Sequence, residues 1–127
     1  MPESGIPDDV RRFILTSIPS VPHLEAVLLL RQERIDWDVT SVARRLYIAD
    51  GVATQVLSDL HAAGFLAAVP RPPSAYRYEP AAPGQAEMMD RVADVYARHL
   101  IEVTNLLHAT AAGKVQLFAE AFKFRKE

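Results

Sequence analysis

The sequence predicts a mainly α-helical domain of the α+β class, in which a helix-turn-helix precedes a short β-hairpin and a long C-terminal helix. Three observations support this prediction. Apolar residues recur at helical spacing on both sides of a tight turn in residues 38–62. Short extended segments then flank a proline-rich tip. Finally, residues 85–109 form the longest periodic segment of the chain.

The first two helices are predicted on either side of a proline-containing break. Residues 8–18 have one apolar face, and the aspartates at their start suit the positive end of a helix. Pro22 fits the first turn of a second helix, residues 23–33. This helix is apolar through its middle, so we expect it to be the central buried helix of the domain. Residues 35–37 are predicted to be the first strand.

The helix-turn-helix is indicated by its caps and its periodicity. Asp38 is a good N-cap for the first helix, and residues 47–50 form the turn. The second helix places apolar side chains at steps of three and four, namely Ala53, Val56, Leu57 and Leu60. Its opposite side is polar. Gly64 follows at the expected helix end, because glycine adopts the left-handed cap conformation without a Cβ penalty.

The segment after the helix-turn-helix is predicted to be a short, stiff hairpin. Residues 65–69 and 75–79 are extended, and the tip at 70–73 contains three prolines. Proline cannot donate to a strand ladder and is therefore found at edges and turns. A linker at residues 80–84 leads to the last long helix.

Residues 37–48 and 56–66 carry a specific pattern. They read W-x-V-x-x-V-A-R-R-L-x-I and V-L-x-D-L-x-A-A-G-F-L. This pattern closely resembles the winged helix-turn-helix of MarR-like bacterial transcription regulators. The resemblance implies that the second helix is a recognition helix, that the hairpin is a wing, and that the protein binds DNA as a homodimer. Tyr47 departs from the pattern because many relatives carry glycine there, so we expect a strained or differently shaped turn.

Composition fits one small soluble domain. Half of the 127 residues (50%) are hydrophobic, but no apolar run is long enough to span a bilayer. The chain has no cysteine and therefore no disulfide or thiolate metal site, and its N-terminus lacks the apolar core of a signal peptide. A cytoplasmic location is expected. The net charge of −2 contrasts with the basic surface of a typical nucleic-acid binder.

The candidate DNA contacts are arginines that can meet phosphates and polar side chains that can read base edges. They are Arg44, Arg45, Thr54, Gln55, Ser58, Arg71, Tyr76 and Arg77. The four arginines are opposed by the acidic residues of the same segment, Asp38, Asp50, Asp59 and Glu79. No Lys or Arg lies on the recognition helix, which removes the commonest guanine contact. The alternative interpretation of each candidate is an ordinary solvated surface residue.

Residues 85–109 are predicted to form one helix, which would be roughly 37 Å long at 1.5 Å per residue. Such a helix is longer than a domain of this size can cover. The resemblance implies that it forms the dimer interface, and packing against the chain's own core is the alternative. The candidate interface residues are Met89, Val92, Tyr96, His99, Val103 and Leu106.

The chain is predicted to divide into a winged helix-turn-helix domain, residues 8–80, and a helical dimerisation region with a tail, residues 84–127. Gly113 is expected to interrupt the long helix. Residues 114–127 combine three phenylalanines with a basic end. We expect them to fold back on the dimer as a helix, and docking on an unidentified protein partner or a membrane surface is the alternative.

Signals of catalysis and of cofactor binding are weak. The glycines do not cluster into a phosphate-binding loop, and no serine lies in a nucleophile-elbow sequence. His99 and Glu102 are one helical turn apart and can supply two metal ligands, but no third ligand is evident. We therefore expect no enzyme activity, no metal and no cofactor. The resemblance also allows a small-molecule effector near Trp37, Tyr96 or His99.

Two functions of different classes remain open. The first is a homodimeric DNA-binding transcriptional regulator, with double-stranded DNA and a second copy of the chain as partners. The second is a winged-helix protein–protein interaction module with little DNA affinity. The first is our leading hypothesis, and the second is the alternative, supported by the balance of charges on the recognition surface and by the aromatic tail.

Overall fold

The computed structural model describes residues 5–109. Along the chain its elements are α1 (Asp8–Ser17), α2 (Val21–Gln32), β1 (Trp37–Asp38), α3 (Val39–Leu46), α4 (Asp50–Ala62), β2 (Leu66–Val69), β3 (Ala75–Tyr78) and α5 (Pro83–Arg98). A further helical segment, α6, covers residues 100–109. The helices and the small antiparallel sheet confirm the predicted fold class.

The sheet has three strands in the order β1-β3-β2. β2 and β3 form the predicted hairpin, with Leu66 opposite Tyr78. β1 pairs with the other edge of β3, where Trp37 lies opposite Tyr76. The first strand therefore lies at Trp37–Asp38 rather than at residues 35–37. The reason is that the Trp37 side chain is buried, whereas Ile35 is exposed.

α2 lies at the centre of the core, as predicted. Ser20 caps its N-terminus by accepting a hydrogen bond from the backbone N–H of His23. The helix packs against α3, α4 and β3. Its fully buried apolar side chains are Leu24, Ala26, Val27 and Leu30. Because these neighbours surround it, α2 fixes the orientation of the helix-turn-helix.

The turn between α3 and α4 retains a conformation typical of glycine. Asp38 caps α3, as predicted, by accepting a hydrogen bond from the backbone N–H of Ser41 at 2.7 Å. Tyr47 ends α3 in the left-handed conformation, with φ 59° and ψ 46°, which costs a non-glycine residue about 1–2 kcal/mol. Its side chain is 94% exposed. Gly64 takes φ +91° after α4, as its role at the helix end requires.

The prediction of one continuous helix over residues 85–109 is wrong, because the helix breaks at His99. This residue has φ −132° and ψ 49°, so α5 ends at Arg98. The His99 imidazole lies 3.0 Å from the carboxylate of Glu102, which also accepts a hydrogen bond from the backbone N–H of Gly5 at 2.8 Å. A Cβ on Gly5 would come within 2.1 Å of the His99 ring. The N-terminal arm, residues 5–7, therefore packs directly on the break.

The break changes what the C-terminal helices cover. Val103 and Leu107 of α6 are buried in the same core as Ile6 from the N-terminal arm. α1 packs against α5, and an ion pair between Asp9 and Arg91 joins these two helices. The helical segments after the wing thus contribute to the core of this chain.

Two predicted features lie beyond what the structure tests. Gly113 and residues 114–127 are outside the described residues, and the division into regions 8–80 and 84–127 stays a prediction. Within residues 5–109, no single helix combines the length and hydrophobicity needed to cross a membrane. α1 and α2 reach that combination only when they are taken together, and they are bent by 106°.

Candidate nucleic-acid interface

α4 has one buried side and one side that faces solvent. The buried side consists of Ala53, Val56, Leu57 and Leu60. Thr54, Gln55 and Ser58 are exposed on the other side. The apolar spacing of three and four thus holds the helix against α2 and directs its uncharged polar side chains outward.

The three polar side chains of α4 differ in their hydrogen bonds. The Thr54 hydroxyl donates to the carbonyl oxygen of Asp50 at 2.9 Å, so it can only accept from another molecule. The Gln55 side-chain Nε2 donates to the Asp59 carboxylate at 2.8 Å. Ser58 has no hydrogen-bond partner among residues 5–109 and can donate or accept. The surface of α4 therefore offers mainly hydrogen-bond acceptors.

Two of the four candidate arginines are paired with acids. Arg45 forms an ion pair with Glu33 and also lies over the Trp37 ring at 5.7 Å. Arg77 on β3 is 3.2 Å from Asp36. Each of these pairs is half-exposed and close to neutral in sum. They offer less attraction to phosphate than free guanidinium groups do.

The other two candidate arginines, Arg44 and Arg71, are exposed and make no ion pair within the described part of the chain. Both lie close enough to Asp38 to affect it. The pKa of Asp38 is lowered, first by the backbone N–H of Ser41, then by the Ser41 side chain, and further by the charges of Arg71 and Arg44. Arg44 on α3 and Arg71 at the wing tip thus provide positive charge near Asp38.

The acids of this segment are partly engaged in the fold. Asp38 caps α3, and Asp59 contacts His23 of α2 at 2.8 Å. Asp50 and Glu79 are exposed. Asp50 lies in the first turn of α4, where a negative charge favours the helix but opposes an approaching phosphate.

The wing is anchored to the rest of the domain through its tyrosines. Tyr76 is half-buried, and its ring lies 5.8 Å from the ring of His61 on α4. Tyr78 is buried under Arg34, whose guanidinium is 4.9 Å from the ring centroid. Tyr76 therefore holds the wing against α4, and a contact of Tyr76 with DNA stays a prediction.

Two exposed residues near the candidate contacts in the sequence, Val52 and Tyr47, were not among the predicted contacts. Val52 is 46% exposed on α4, and Tyr47 projects from the preceding turn. Val52 precedes Gln55 by three residues, which places both on the same side of a helix. The position of Val52 outside the apolar stripe of this helix was the signal that could have identified it.

The predicted dimer-interface residues lie mostly inside this chain. Met89, Val92 and Val103 are fully buried in the core, and the remaining three, Tyr96, His99 and Leu106, are partly buried. α5 packs against α1, and Val103 of α6 lies in the same core. The large apolar side chains still exposed on α6 are Leu100 and Ile101, at 53% and 72%. A dimer interface stays a prediction, with these two residues as its accessible part.

A cleft of 520 Å³ lies between α2, the end of α3 and α5. Tyr96 lines it, whereas Trp37 and His99, the other residues predicted near an effector, do not. The Tyr96 hydroxyl is 3.4 Å from the Glu25 carboxylate, and burial together with that charge raises the pKa of Tyr96. Within residues 5–109, no cluster of three or more His, Cys, Asp or Glu side chains has the arrangement of a metal site.

Comparison with known proteins finds similarity in structure only. No protein-family model and no curated protein matches the chain. A MarR family protein from Bacillus stearothermophilus aligns with a TM-score of 0.51 at 15% identity, over 94% of this chain and 81% of that chain. A cysteine-to-serine mutant of MarR from E. coli aligns with a TM-score of 0.54 at 12% identity, over 94% and 87%.

These alignments extend over nearly all of the chain, including the helices on both sides of the wing. Identities this low relate the proteins by fold rather than by activity. The order of helices and strands agrees with the winged helix-turn-helix that the pattern in residues 37–66 predicted. The chain therefore has a MarR-like winged-helix fold.

Proposed function

We propose that this protein is a homodimeric DNA-binding transcriptional regulator of the winged-helix type. The observation that carries the proposal is the exposed side of α4 with Thr54, Gln55 and Ser58, together with the exposed Arg44 and Arg71, which lie near Asp38 and make no ion pair within the described residues. The major groove admits an α-helix, and uncharged polar side chains can read its base edges. Flanking cations supply the contacts to phosphates.

The two kinds of contact have separate roles in this proposal. Arg44 and Arg71 position the domain on the duplex, because phosphate contacts carry no sequence information. Thr54, Gln55 and Ser58 supply the sequence preference. The structural relatives carry the MarR name, and this supports the assignment of α4 as the recognition helix.

We place the second copy of the chain against the exposed side of α6. Leu100 and Ile101 are adjacent large apolar side chains there, and burying them would remove apolar surface from water. A two-fold dimer presents two recognition helices, so its target should be an inverted repeat with half-sites about one helical turn apart.

The alternative is a winged-helix protein–protein interaction module. The observation that favours it is the pairing of Arg45 with Glu33 and of Arg77 with Asp36, which leaves two of the four candidate arginines without an ion pair within residues 5–109. A surface of paired charges attracts a phosphate backbone only weakly, and a protein partner does not need that attraction. Residues 114–127 are the other predicted docking segment.

Selection from a random duplex library with the purified protein tests the proposed function. The regulator should enrich an inverted repeat, whereas an interaction module should enrich no sequence. Arg44→Ala with Arg71→Ala should abolish enrichment, because both side chains are exposed and the fold should persist. The matched control, Arg11→Ala with Arg12→Ala, removes the same charge from exposed positions on α1 and should enrich the wild-type sequence.

A further inference from the structure

We infer that Asp59 and His23 determine which base Gln55 prefers, by fixing the orientation of its side-chain amide. This inference rests on the proposed function. Asp59 and His23 are positioning residues, since neither needs to touch DNA. Together with Ser20 they form a series of hydrogen bonds that runs from the N-terminus of α2 to the exposed side of α4.

The inner end of this series is fixed by burial. The His23 side chain is buried, with 8% of the residue exposed. Its Nε2 lies 2.8 Å from Asp59 Oδ2, and its Nδ1 lies 2.6 Å from the hydroxyl of Ser20, the N-cap of α2. A carboxylate only accepts hydrogen bonds, so the His23 Nε2 carries the hydrogen. Asp59 is thereby tied to a side chain with little freedom to move.

The outer end of the series fixes the orientation of the Gln55 side-chain amide. Its side-chain Nε2 lies 2.8 Å from Asp59 Oδ1. The hydrogen bonds from His23 and Gln55 lower the pKa of Asp59, so this carboxyl is ionised and cannot donate. The Gln55 amide must therefore turn its nitrogen toward Asp59. Its Oε1 has no hydrogen-bond partner among the described residues and remains available as an acceptor.

A glutamine held this way matches adenine. Its Oε1 can accept from the adenine N6 amino group, and the second hydrogen on Nε2 can donate to adenine N7. Guanine presents an acceptor, O6, where adenine presents that amino group. The fixed amide should therefore favour adenine over guanine at one position of each half-site.

Replacing Asp59 by asparagine should reverse the Gln55 amide. With the Ser20 hydroxyl donating to His23 Nδ1, the His23 Nε2 keeps its hydrogen, so the introduced asparagine should turn its oxygen toward His23 and its nitrogen toward Gln55. That nitrogen only donates, and Gln55 must then turn its Oε1 inward and its Nε2 outward. The outward group would be a donor, which suits guanine O6 better than the adenine amino group.

The test measures the affinity of the protein for duplexes that differ only in the base at one position. That position is the one at which Gln55→Ala loses base discrimination. The wild type should prefer adenine over guanine by roughly 5- to 150-fold, as expected for a bidentate contact. Asp59→Asn should lose or reverse this preference. Asp50→Asn is the matched control, because it removes one negative charge from the same helix without touching Gln55. It should keep the wild-type preference.

A second measurement needs only the wild type and covers the case in which Asp59→Asn does not fold. Purine lacks the N6 amino group and keeps N7, so its substitution for adenine should weaken binding of the wild type through loss of the hydrogen bond to Gln55 Oε1. Equal affinity for purine and adenine would overturn the inference, as would an unchanged adenine preference in a folded Asp59→Asn variant. Failure of the wild type to select any sequence would overturn the proposed function as well, so the two failures are distinguishable.

Discussion

Removing an unpaired arginine from the candidate interface should reduce the salt dependence of DNA binding more than removing a paired one. Arg44 and Arg71 make no ion pair within residues 5–109, whereas Arg45 is paired with Glu33 and Arg77 with Asp36. A paired arginine that turns to a phosphate leaves its acid facing the same DNA. It therefore contributes little net neutralisation and releases few counterions.

The expected magnitude follows from the number of unpaired arginines. A dimer presents two copies each of Arg44 and Arg71, and each neutralised phosphate contributes about −0.9 to the slope of log K against log salt. The wild-type slope should thus be about −3.6. Arg44→Ala or Arg71→Ala removes two copies per dimer and should flatten the slope by about 1.8. Arg45→Ala and Arg77→Ala should flatten it much less.

Fluorescence anisotropy with a labelled duplex, measured over a series of salt concentrations, gives these slopes directly. The converse variants, Glu33→Gln and Asp36→Asn, release Arg45 and Arg77 and should each steepen the slope by up to about 1.8. The reasoning is refuted if all four alanine variants flatten the slope equally. It is also refuted if neutralising the acids has no effect.

Two further predictions concern the helices and the turn. Val92→Glu should unfold the protein, because it places a charge in the core. Ile101→Glu changes an exposed residue, so it should preserve the melting temperature of the monomer and shift a dimer toward monomer in sedimentation. Dissociation without unfolding by Val92→Glu would contradict this assignment. Tyr47→Gly should raise the free energy of unfolding by about 0.5–1 kcal/mol, because relief of about 1–2 kcal/mol of left-handed strain exceeds the added chain entropy. Denaturant titration measures this difference, and a loss of stability would show that the exposed ring makes a contact of its own.

The local features of the fold were predictable because their causes lie within a few residues. Asp38 accepts from the N–H three positions later, and Gly64 adopts the left-handed conformation that ends α4. The apolar spacing of α4 was enough to identify its buried side, and the same spacing left Thr54 and Gln55 exposed. Such features depend on backbone geometry and helical period, both of which are written in consecutive residues.

The sequence pattern misled where an apolar stripe had two possible partners. Met89, Val92 and Val103 recur at helical spacing, which predicts burial but does not say against which surface. The tertiary fold decides this, because α5 packs against α1 and residues 5–7 pack on the break at His99 through a hydrogen bond from Gly5 to Glu102, 97 positions along the chain. Periodicity alone could not reveal a contact between the two ends of the described residues.

Short-range spacing and caps in the sequence were sufficient to define the helix-turn-helix, the wing and the exposed polar side of α4. The tertiary fold decided which arginines form ion pairs. Arg44 and Arg45 are neighbours in the sequence, yet only Arg45 forms an ion pair within the described residues, with Glu33 at the end of α2. The contact between Asp59 and the buried His23 of another helix arose in the same way. Ion pairs and buried hydrogen bonds join elements that are distant in sequence, so they form only once the core has brought those elements together.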